Sequence, residues 1–479
     1  MNNILIQDLA EMANIKFGTS GLRGLVSDLT DEVCFAYTKA FLQSQNPNEK
    51  VVAIGHDLRP SSPEIANACN AAAESLGYEC QYIGALPTPA LAYYCLENNI
   101  PGIMVTGSHI PFDRNGIKFY RADGEISKHD EHTIMQSSIE LPSSKLSVEL
   151  PPLNNLAITL YKDRYINFFG KNFLSEKTIA IYQHSSVARD FLNDIFTALG
   201  AKTILLGRSD TFIPIDTEAV RNEDIKQFKK WADEYNFDVL VSTDGDADRP
   251  LITDETGEFI RGDILGILTA QYLKADHVVT PISSNTAVEL SNSFKSVTRT
   301  KIGSPYVIQG MLECKQNNPN EIILGYEANG GFLIQTDINH GSLRLNKLPT
   351  RDALLPILST LGMSIDYRCK ISKLVTTLPK RFTDSGRIRN LPANKSKRIF
   401  EFVSQNPENI YQFYFDGSAK IINIDWTDGM RVTFGDGNII HIRQSGNAPE
   451  LRCYCETNNA TNEKKLVEQC ISSIKDFVF

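Results

Sequence analysis

Several common signatures are missing from this 479-residue sequence, and each absence excludes a class of protein. No apolar run approaches the roughly 18 residues that a membrane-spanning helix needs. The first fourteen residues lack a basic segment followed by an apolar one, so no secretory signal peptide is expected. Lysine and arginine number 48 against 57 acidic residues, and this net charge of −9 argues against nucleic acid or an anionic membrane as a partner.

Regularly spaced cysteines are missing as well. The nine cysteines are odd in number and irregularly placed, which indicates reduced thiols and a cytoplasmic protein. Cys453 and Cys455 share one face of a predicted strand, and we interpret them as packing residues because no second Cys/His pair accompanies them. No stretch supplies a Ser-His-Asp triad. With 42% hydrophobic and 22% charged residues, the composition is that of an ordinary globular protein, and the length predicts several domains.

Strands and helices alternate up to about residue 370, which predicts α/β domains with largely parallel sheets. A helix, a glycine, a strand and a second glycine occur in this order at residues 61–84 and again at residues 187–207. A third strand–helix–strand unit is expected over residues 277–302, and we interpret the three as an internal structural repeat. From about Ile371, short strands with Asp-Gly turns indicate an α+β domain with antiparallel hairpins.

Residues 103–120 contain a candidate nucleophile. A predicted buried strand ends just before Ser108 and His109. Strand ends in α/β sheets open onto the ligand crevice, so the Ser108 hydroxyl is well placed to react. Asn115-Gly116 is predicted to make a tight turn, and Lys118, among apolar neighbours on the next strand, is a candidate proton carrier. The stretch alone is equally consistent with a polar turn.

Residues 238–249, with the sequence Asp-Val-Leu-Val-Ser-Thr-Asp-Gly-Asp-Ala-Asp-Arg, form the most specific motif. A predicted strand runs into Asp244, Asp246 and Asp248, whose side chains project on one side of an extended backbone. Three carboxylates so placed repel one another unless a hard cation joins them. Arg249 cannot bind a cation and suits a phosphate beside it. The alternative without function is a solvated acidic turn.

A calcium-binding EF-hand also matches the carboxylate spacing of this motif. Glu255 even falls at its twelfth position, where the bidentate ligand belongs. However, the glycine required at the sixth position is Arg249, and a strand rather than a helix precedes the motif. We therefore reject the EF-hand.

Three glycine-containing loops offer groups that bind anions or sugars. The loop around Arg23 has three glycines and two hydroxyls, a combination that suits an oxyanion. Residues 325–331 follow a predicted strand and carry Glu327 and Asn329, which can bind adjacent sugar hydroxyls. Residues 443–452 have an arginine at each end, with serine, glycine and asparagine between them, and can wrap a phosphate. Each loop alone is also consistent with a surface turn.

Together and in this order, the five segments resemble the α-D-phosphohexomutase family over nearly the whole chain. The resemblance implies three related α/β domains with mixed sheets and a smaller C-terminal α+β domain, arranged around a central cleft. The expected boundaries are 1–148, 149–256, 257–370 and 371–479. The resemblance also implies small hexose phosphates as ligands, Mg²⁺ as the metal and a hexose 1,6-bisphosphate as intermediate and activator. A monomer or a homodimer is expected.

The resemblance assigns a role to each matching residue. Ser108 is expected to be the phosphoserine and to join the aspartates around Mg²⁺, and Lys118 to be the general acid and base. The expected residues are Ser108, Lys118, His109, Arg23 and Arg249 at the reacting phosphoryl group; Ser108, Asp244, Asp246 and Asp248 on the metal; Glu327 and Asn329 on the sugar; and Arg443, Ser445, Gly446, Asn447 and Arg452 on the non-reacting phosphate.

The implied reaction is reversible phosphoryl transfer between O1 and O6 of a hexose phosphate. Residues 242–311 are most similar to the branch of the family that acts on mannose phosphate, with glucose phosphate and then glucosamine phosphate as the alternatives. The sequence departs from the family pattern at Ile110, Asn329 and Ala448, and residues 303–305 replace a segment that often carries a His or Asp facing the substrate. These departures concern the choice of sugar.

Two proteins of other classes would share many of these motifs. A catalytically silent sugar-phosphate-binding relative would be expected to lose Ser108 or an aspartate, and neither is lost. A metal-dependent phosphatase that uses Ser108 would release phosphate without forming an isomer.

Overall fold

Four large β-sheets organise the chain. The computed structural model describes residues 3–18, 21–45, 49–142, 149–414, 419–444, 450–460 and 462–478. We call the four groups of elements unit 1 (residues 3–140), unit 2 (178–260), unit 3 (262–366) and unit 4 (382–478). Within these described ranges, no helix combines the length and the apolar character needed to cross a bilayer.

Unit 1 contains a seven-stranded mixed sheet with strand order β2-β3-β7-β6-β4-β5 and with β8 beside β7, and β1 and β9 form a small antiparallel pair. The strands are β1 (Asn3–Leu5), β2 (Lys16–Phe17), β3 (Leu22–Leu25), β4 (Val51–His56), β5 (Glu79–Ala85), β6 (Gly102–Val105), β7 (Arg114–Arg121), β8 (Gly124–Glu125) and β9 (Ser138–Glu140). The helices are α1 (Ile6–Met12), α2 (Asp31–Ser44), α3 (Ser62–Ser75), α4 (Thr88–Asn98) and α5 (Lys128–Met135). Helix α6 (Leu156–Phe169) then packs against α4 on the way to unit 2.

Units 2 and 3 each contain a five-stranded mixed sheet, with orders β11-β10-β12-β13-β14 and β16-β15-β17-β18-β21. Unit 2 consists of β10 (Thr178–His184), α7 (Arg189–Ala198), β11 (Lys202–Arg208), α8 (Asn222–Glu234), β12 (Val239–Thr243), β13 (Pro250–Thr253) and β14 (Phe259–Ile260). Unit 3 consists of α9 (Gly262–Tyr272), β15 (His277–Pro281), α10 (Ala287–Leu290), β16 (Ser296–Thr300), α11 (Ser304–Asn317), β17 (Ile323–Tyr326), β18 (Phe332–Ile334), β19 (Ile338–His340), β20 (Leu343–Leu345), β21 (Leu348–Asp352) and α12 (Leu354–Asp366). Strand β14 pairs with β13, so the second sheet extends past residue 256.

The first three sheets share one topology. In each, a central strand pairs in parallel with two neighbours: β4 with β5 and β6, β10 with β11 and β12, and β15 with β16 and β17. The third parallel strand then pairs with an antiparallel one, which is β7, β13 or β18. The predicted structural repeat is therefore present. The serine, aspartate and Glu327 segments all lie at the same place, between the third parallel strand and its antiparallel neighbour.

Glycines end the helices of the repeat as the sequence predicts. Helix α3 is followed by Gly77 and helix α7 by Gly200, with φ values of +74° and +96°. A residue without Cβ adopts this left-handed conformation readily, so the chain can turn from the helix into the next strand.

Unit 4 follows helix α13 (Ile371–Val375) and has a purely antiparallel sheet with order β22-β26-β25-β24-β23. It consists of β22 (Phe382–Ile388), α14 (Ala393–Gln405), a 3₁₀ helix (Pro407–Gln412), β23 (Ile421–Asp425), β24 (Met430–Phe434), β25 (Ile439–Gln444), β26 (Leu451–Thr457) and α15 (Glu463–Val478). The predicted α+β class is confirmed. Cys453 and Cys455 lie in its hydrophobic core, 2% and 1% exposed, as the packing interpretation predicts.

Unit 4 has its own core, whereas one continuous core extends through units 1, 2 and 3. Polar contacts join unit 4 to unit 3. The Thr286 amide donates to Glu456, and the Ile302 amide donates to Asp428 at 2.9 Å. Asn285 Nδ2 also donates to the carbonyl of Arg381, the residue just before unit 4, at 3.0 Å. Interfaces of this polar kind between domains permit relative motion.

One local prediction is wrong. Asn115-Gly116 does not form a turn, because both residues belong to β7. Gly116 pairs with Arg23 on β3, and a Cβ at Gly116 would meet the Leu22 carbonyl oxygen at 2.1 Å. The glycine is thus needed for close approach of two strands, and the chain reverses earlier, between β6 and β7.

Candidate active site

Ser108 lies in the loop between β6 and β7 and faces unit 2. It is 3% exposed, and its φ of +51° is left-handed, which is uncommon for a residue with a side chain. The hydroxyl donates to Asp244 Oδ2 at 2.7 Å. The structure therefore brings the candidate nucleophile and the aspartate motif, 136 residues apart in sequence, into direct contact.

His109 is held as a neutral acceptor. Arg249 Nη1 lies 2.9 Å from His109 Nδ1, and because a guanidinium can only donate, this nitrogen must accept. Burial and Arg249 lower the pKa of His109 to about 3. Ser108 Oγ is 3.3 Å from the same nitrogen, whose lone pair Arg249 already occupies, so His109 is poorly placed to take the serine proton.

Each of the three aspartates has one oxygen that the protein satisfies. Asp244 Oδ1 accepts from the amides of Asp248 and Arg249 at 3.2 and 3.3 Å. Asp246 Oδ2 accepts from Thr88 and Lys118, both at 2.6 Å, and Asp248 Oδ2 accepts from Lys118 at 2.6 Å.

The remaining oxygens suit a hard cation. Asp246 Oδ1 and Asp248 Oδ1 are buried and have no hydrogen-bond partner within the described part of the chain, and Asp244 Oδ2 meets only the Ser108 hydroxyl and the more distant Arg249. One oxygen of each aspartate lies within 4.8 Å of those of the other two. Burial, Asp246 and Asp248 raise the pKa of Asp244 well above its ordinary value. A divalent ion would relieve this repulsion, so the site fits Mg²⁺.

Lys118 lies on β7, 2% exposed, with Nζ between Asp246 and Asp248. Burial opposes the charge on Asp246, yet Lys118 and Thr88 hold the pKa of this carboxyl below its ordinary value. On the neighbouring strand β3, burial lowers the pKa of Arg23 to about 10 against the opposing attraction of Asp246. Lys118 and Arg23 thus both lie close to the aspartates.

Arg351, at the end of β21, was not identified from the sequence. It is 2% exposed, and its Nη2 lies 2.8 Å from Asp248 Oδ2. Its Nη1 donates to Glu327 Oε2 at 3.1 Å. One guanidinium therefore links the aspartate motif to the loop that carries Glu327. Its position where a strand meets a helix, in the sequence Thr-Arg-Asp, is the only signal that could have found it.

Glu327 and Asn329 lie in a tight turn between β17 and β18, 4% and 6% exposed. Asn329 Oδ1 accepts from the Gly331 amide at 3.0 Å, and the Asn329 carbonyl accepts from Thr217 Oγ1 of unit 2 at 2.8 Å. The Asn329 side chain therefore stabilises its own turn, and its amide nitrogen is the group that remains for a ligand.

Arginines form a row on the sheet of unit 4. Arg443 on β25 pairs with Arg452 on β26, which pairs in turn with Arg387 on β22. Directly opposite residues in antiparallel strands have side chains on the same face, where like charges repel. Glu450 lies 3.0 Å from Arg452 and 3.9 Å from Arg387, and Asp428 lies 3.6 Å from Arg443, so these carboxylates offset part of the repulsion. Arg387 was not predicted. Ser445, Gly446 and Asn447, and Ala448 with them, lie outside the described residues.

Two further details correct or sharpen the sequence analysis. Ser304, at the start of α11, donates to Glu125 Oε2 of unit 1 at 2.9 Å, so this replacement for a substrate-facing residue makes a contact between units. Glu255 Oε2 accepts from the Ser372 amide at 3.2 Å and is engaged away from the aspartates, which supports the rejection of an EF-hand.

A serine beside three carboxylates, with a lysine and three arginines around them, has the groups needed for phosphoryl transfer. The comparisons with known proteins point to the same class. Family models described as phosphoglucomutase/phosphomannomutase α/β/α domains I, II and III match residues 14–143, 163–257 and 261–382.

Two relatives are similar over nearly their whole length. A phosphomannomutase of Salmonella muenchen is 46% identical over 98% of this chain and 97% of its own. A phosphomannomutase of Sinorhizobium fredii is 41% identical over 95% and 97%. The crystal structure of a Thermus thermophilus protein assigned as a phosphomannomutase superposes with a TM-score of 0.74, at 19% identity and over 96% of this chain and 99% of that one, and shares the fold.

The chain therefore belongs to the phosphoglucomutase/phosphomannomutase family. The resemblance to α-D-phosphohexomutases and the fold of three related α/β domains with a fourth α+β domain are confirmed.

Proposed function

We propose that this chain reversibly converts mannose 6-phosphate to mannose 1-phosphate through a phosphorylated Ser108 and a mannose 1,6-bisphosphate intermediate. The observation that supports this most directly is the 2.7 Å contact between Ser108 Oγ and Asp244, beside two buried carboxylate oxygens that accept no hydrogen bond from the residues that the structure describes. The choice of mannose follows the two phosphomannomutase relatives, at 46% and 41% identity.

In this proposal, phosphorylated Ser108 gives its phosphoryl group to a sugar hydroxyl: the bond from phosphorus to Ser108 Oγ breaks as the bond to O1 or O6 of the sugar forms. Asp244, Asp246 and Asp248 would hold Mg²⁺, which when bound supplies positive charge against the phosphoryl oxygens. Arg23 and Arg249 add fixed positive charge from the protein.

The sugar hydroxyl gives its proton to Lys118 Nζ in the neutral amine form, and Ser108 Oγ takes up a proton as its bond to phosphorus breaks. Lys118 Nζ lies 2.6 Å from both Asp246 and Asp248, which hold it beside the reacting groups. Glu327 and Asn329 contact the sugar. The arginine row holds the phosphate that does not react, which orients the ring. The bisphosphate then turns over and returns its other phosphoryl group to Ser108. The polar interface of unit 4 suits the opening that this turnover requires.

A parallel assay tests the substrate. The protein is incubated with Mg²⁺, a catalytic amount of glucose 1,6-bisphosphate, and mannose, glucose or glucosamine 6-phosphate, and kcat/KM is compared by ³¹P NMR. We expect mannose 1-phosphate to form with the highest kcat/KM. A higher value for glucose or glucosamine phosphate would change the substrate, and release of inorganic phosphate without isomer would indicate a phosphatase.

Ser108→Ala tests the carrier. We expect turnover to fall below about one-thousandth of wild type with the fold unchanged, because the phosphoryl acceptor is gone. Ser75→Ala, which changes an exposed serine in the last turn of α3, remote from the site, is the control. Wild-type turnover by Ser108→Ala would refute the mechanism.

The cytoplasmic location and the oligomeric state, a monomer or a homodimer, stay predictions.

A further inference from the structure

Arg59 is a buried arginine that the mechanism above does not use. It follows β4 by three residues, and its side chain is 0% exposed. The two terminal nitrogens donate to four carbonyl oxygens of the loop that carries Ser108, at distances from 2.6 to 3.0 Å. These acceptors are the carbonyls of Ser108, Ile110, Pro111 and Arg114.

The carboxylate of Asp57 accepts hydrogen bonds from the start of the same loop. Asp57 Oδ2 accepts from Thr106 Oγ1 at 2.7 Å and from the Gly107 amide at 3.3 Å. Thr106 Oγ1 in turn accepts from the Ser108 amide at 2.8 Å. Asp57 Oδ2 also lies 3.3 Å from Arg59 Nε. Asp57, Thr106, Ser108 and Arg59 therefore form a closed ring of polar contacts around the backbone of one residue.

We propose that Arg59 is a positioning residue for the phosphoryl-carrying serine, an inference that rests on the proposed function. The ring fixes the amide of Ser108 on one side and its carbonyl on the other, and so sets the left-handed φ of +51°. That backbone conformation aims Oγ at Asp244. The planar fork of a guanidinium can serve four carbonyls at once, whereas the single nitrogen of a lysine cannot.

Unit 2 completes the arrangement. The ring of Phe212 lies 4.0 Å from the Arg59 guanidinium carbon. A Cβ at Gly245, between two of the aspartates, would meet the Ser108 carbonyl oxygen at 2.7 Å and Phe212 at 3.3 Å. Unit 2 supplies Asp244 and also packs on the Arg59 guanidinium that orients Ser108. One interface therefore fixes both Ser108 and Asp244, the two partners of the 2.7 Å hydrogen bond.

Arg59→Lys and Arg59→Met test the proposal, with Arg164→Met as the matched control. Arg164 is also buried, also donates to a backbone carbonyl and also stacks on an aromatic ring, but it lies away from the serine loop. The measurements are kcat and KM for mannose 6-phosphate, labelling of Ser108 by ³²P-glucose 1,6-bisphosphate, and hydrogen exchange of a peptide covering residues 106–113.

We expect both Arg59 variants to lose about 100-fold in kcat, the cost of a nucleophile displaced by about 1 Å, with KM within about threefold of wild type. Labelling should slow to the same extent, and exchange in residues 106–113 should rise about tenfold. Arg164→Met should lower stability and leave these readouts unchanged. Phe212→Leu, which keeps every hydrogen bond of Arg59, should lower kcat about tenfold.

Wild-type kcat and exchange in Arg59→Lys would overturn the proposal, as would an equal kcat loss in Arg164→Met. If Arg59→Met does not fold, Arg59→Lys and Phe212→Leu decide the matter. If wild type forms no mannose 1-phosphate, the proposed function fails, and hydrogen exchange still tells whether Arg59 holds the loop.

Discussion

Replacement of Lys118 by methionine should move activity and metal affinity in opposite directions. Lys118 Nζ lies 2.6 Å from Asp246 and from Asp248, and all three side chains are at most 3% exposed. Removing one member of a buried ion pair costs roughly 3–5 kcal/mol, because the remaining charge stays desolvated. Thr88 and Arg351 still donate to the same two carboxylates, so we expect the metal-free protein to lose about 3 kcal/mol.

A bound divalent ion replaces the lost positive charge, so the metal-bound variant should lose less stability than the metal-free one. By linkage, the difference appears as tighter metal binding. Full recovery of about 3 kcal/mol corresponds to a Kd roughly 100-fold lower, at about 1.4 kcal/mol per tenfold. Turnover should nevertheless fall about 10²- to 10⁴-fold, because in the proposed mechanism Lys118 carries the proton.

Urea unfolding in EDTA and in excess Mg²⁺ measures the two stabilities, calorimetric titration measures the Kd, and the mutase assay measures turnover. Lys128→Met is the control, since Lys128 is 44% exposed and its carboxylate partner is Glu131. An Mg²⁺ affinity equal to or below that of wild type, with unchanged stability in EDTA, would refute the electrostatic account of this site.

Three further outcomes are expected. Arg387→Met should raise KM for mannose 6-phosphate about three- to tenfold with little change in kcat, since it removes one cation of the arginine row; an unchanged KM would remove Arg387 from the site. Arg351→Met should destabilise the protein by about 3 kcal/mol, because the buried Glu327 carboxylate loses its charged partner. Adding Glu327→Gln should recover part of this stability in urea unfolding but none of the activity in turnover assays. Burial lowers the pKa of His184 and of His441 to about 4. The free energy of unfolding should therefore be highest above pH 6.5 and should fall towards pH 4, by up to about 3 kcal/mol per histidine. Urea unfolding midpoints that do not move between pH 6.5 and pH 4 would contradict this.

Much of the site could be located from sequence because its residues lie in loops next to strand ends. Ser108, Asp244 and Glu327 each follow a run of buried strand residues, and each lies at the carboxyl end of a parallel strand in its own sheet, where ligand sites of α/β folds are found. The α/β class followed from the alternation of elements and from the glycines that end α3 and α7. The alternation predicted largely parallel sheets, whereas all three are mixed, as only the family resemblance implied.

The residues that were missed act through contacts that only the folded chain creates. Arg59 meets the serine loop about 50 residues further along the chain, Arg351 meets Asp248 from another sheet, and Arg387 joins its row only through strand register. No local pattern marks an arginine for such a role. The prediction of a turn at Asn115-Gly116 was wrong for the same reason, since pairing of β7 with β3 overrides the local preference for a turn.

The first three sheets share one topology, and each contributes different residues to the candidate site. The same junction carries Ser108 in the first copy, the aspartates in the second, and Glu327 with Asn329 in the third. Under the proposed function, substitutions at the third junction are expected to alter which sugar is accepted, while Ser108 and the aspartates lie at the other two junctions. A family built in this way can diversify its substrates while its chemistry stays constant, and no one copy in isolation would be competent.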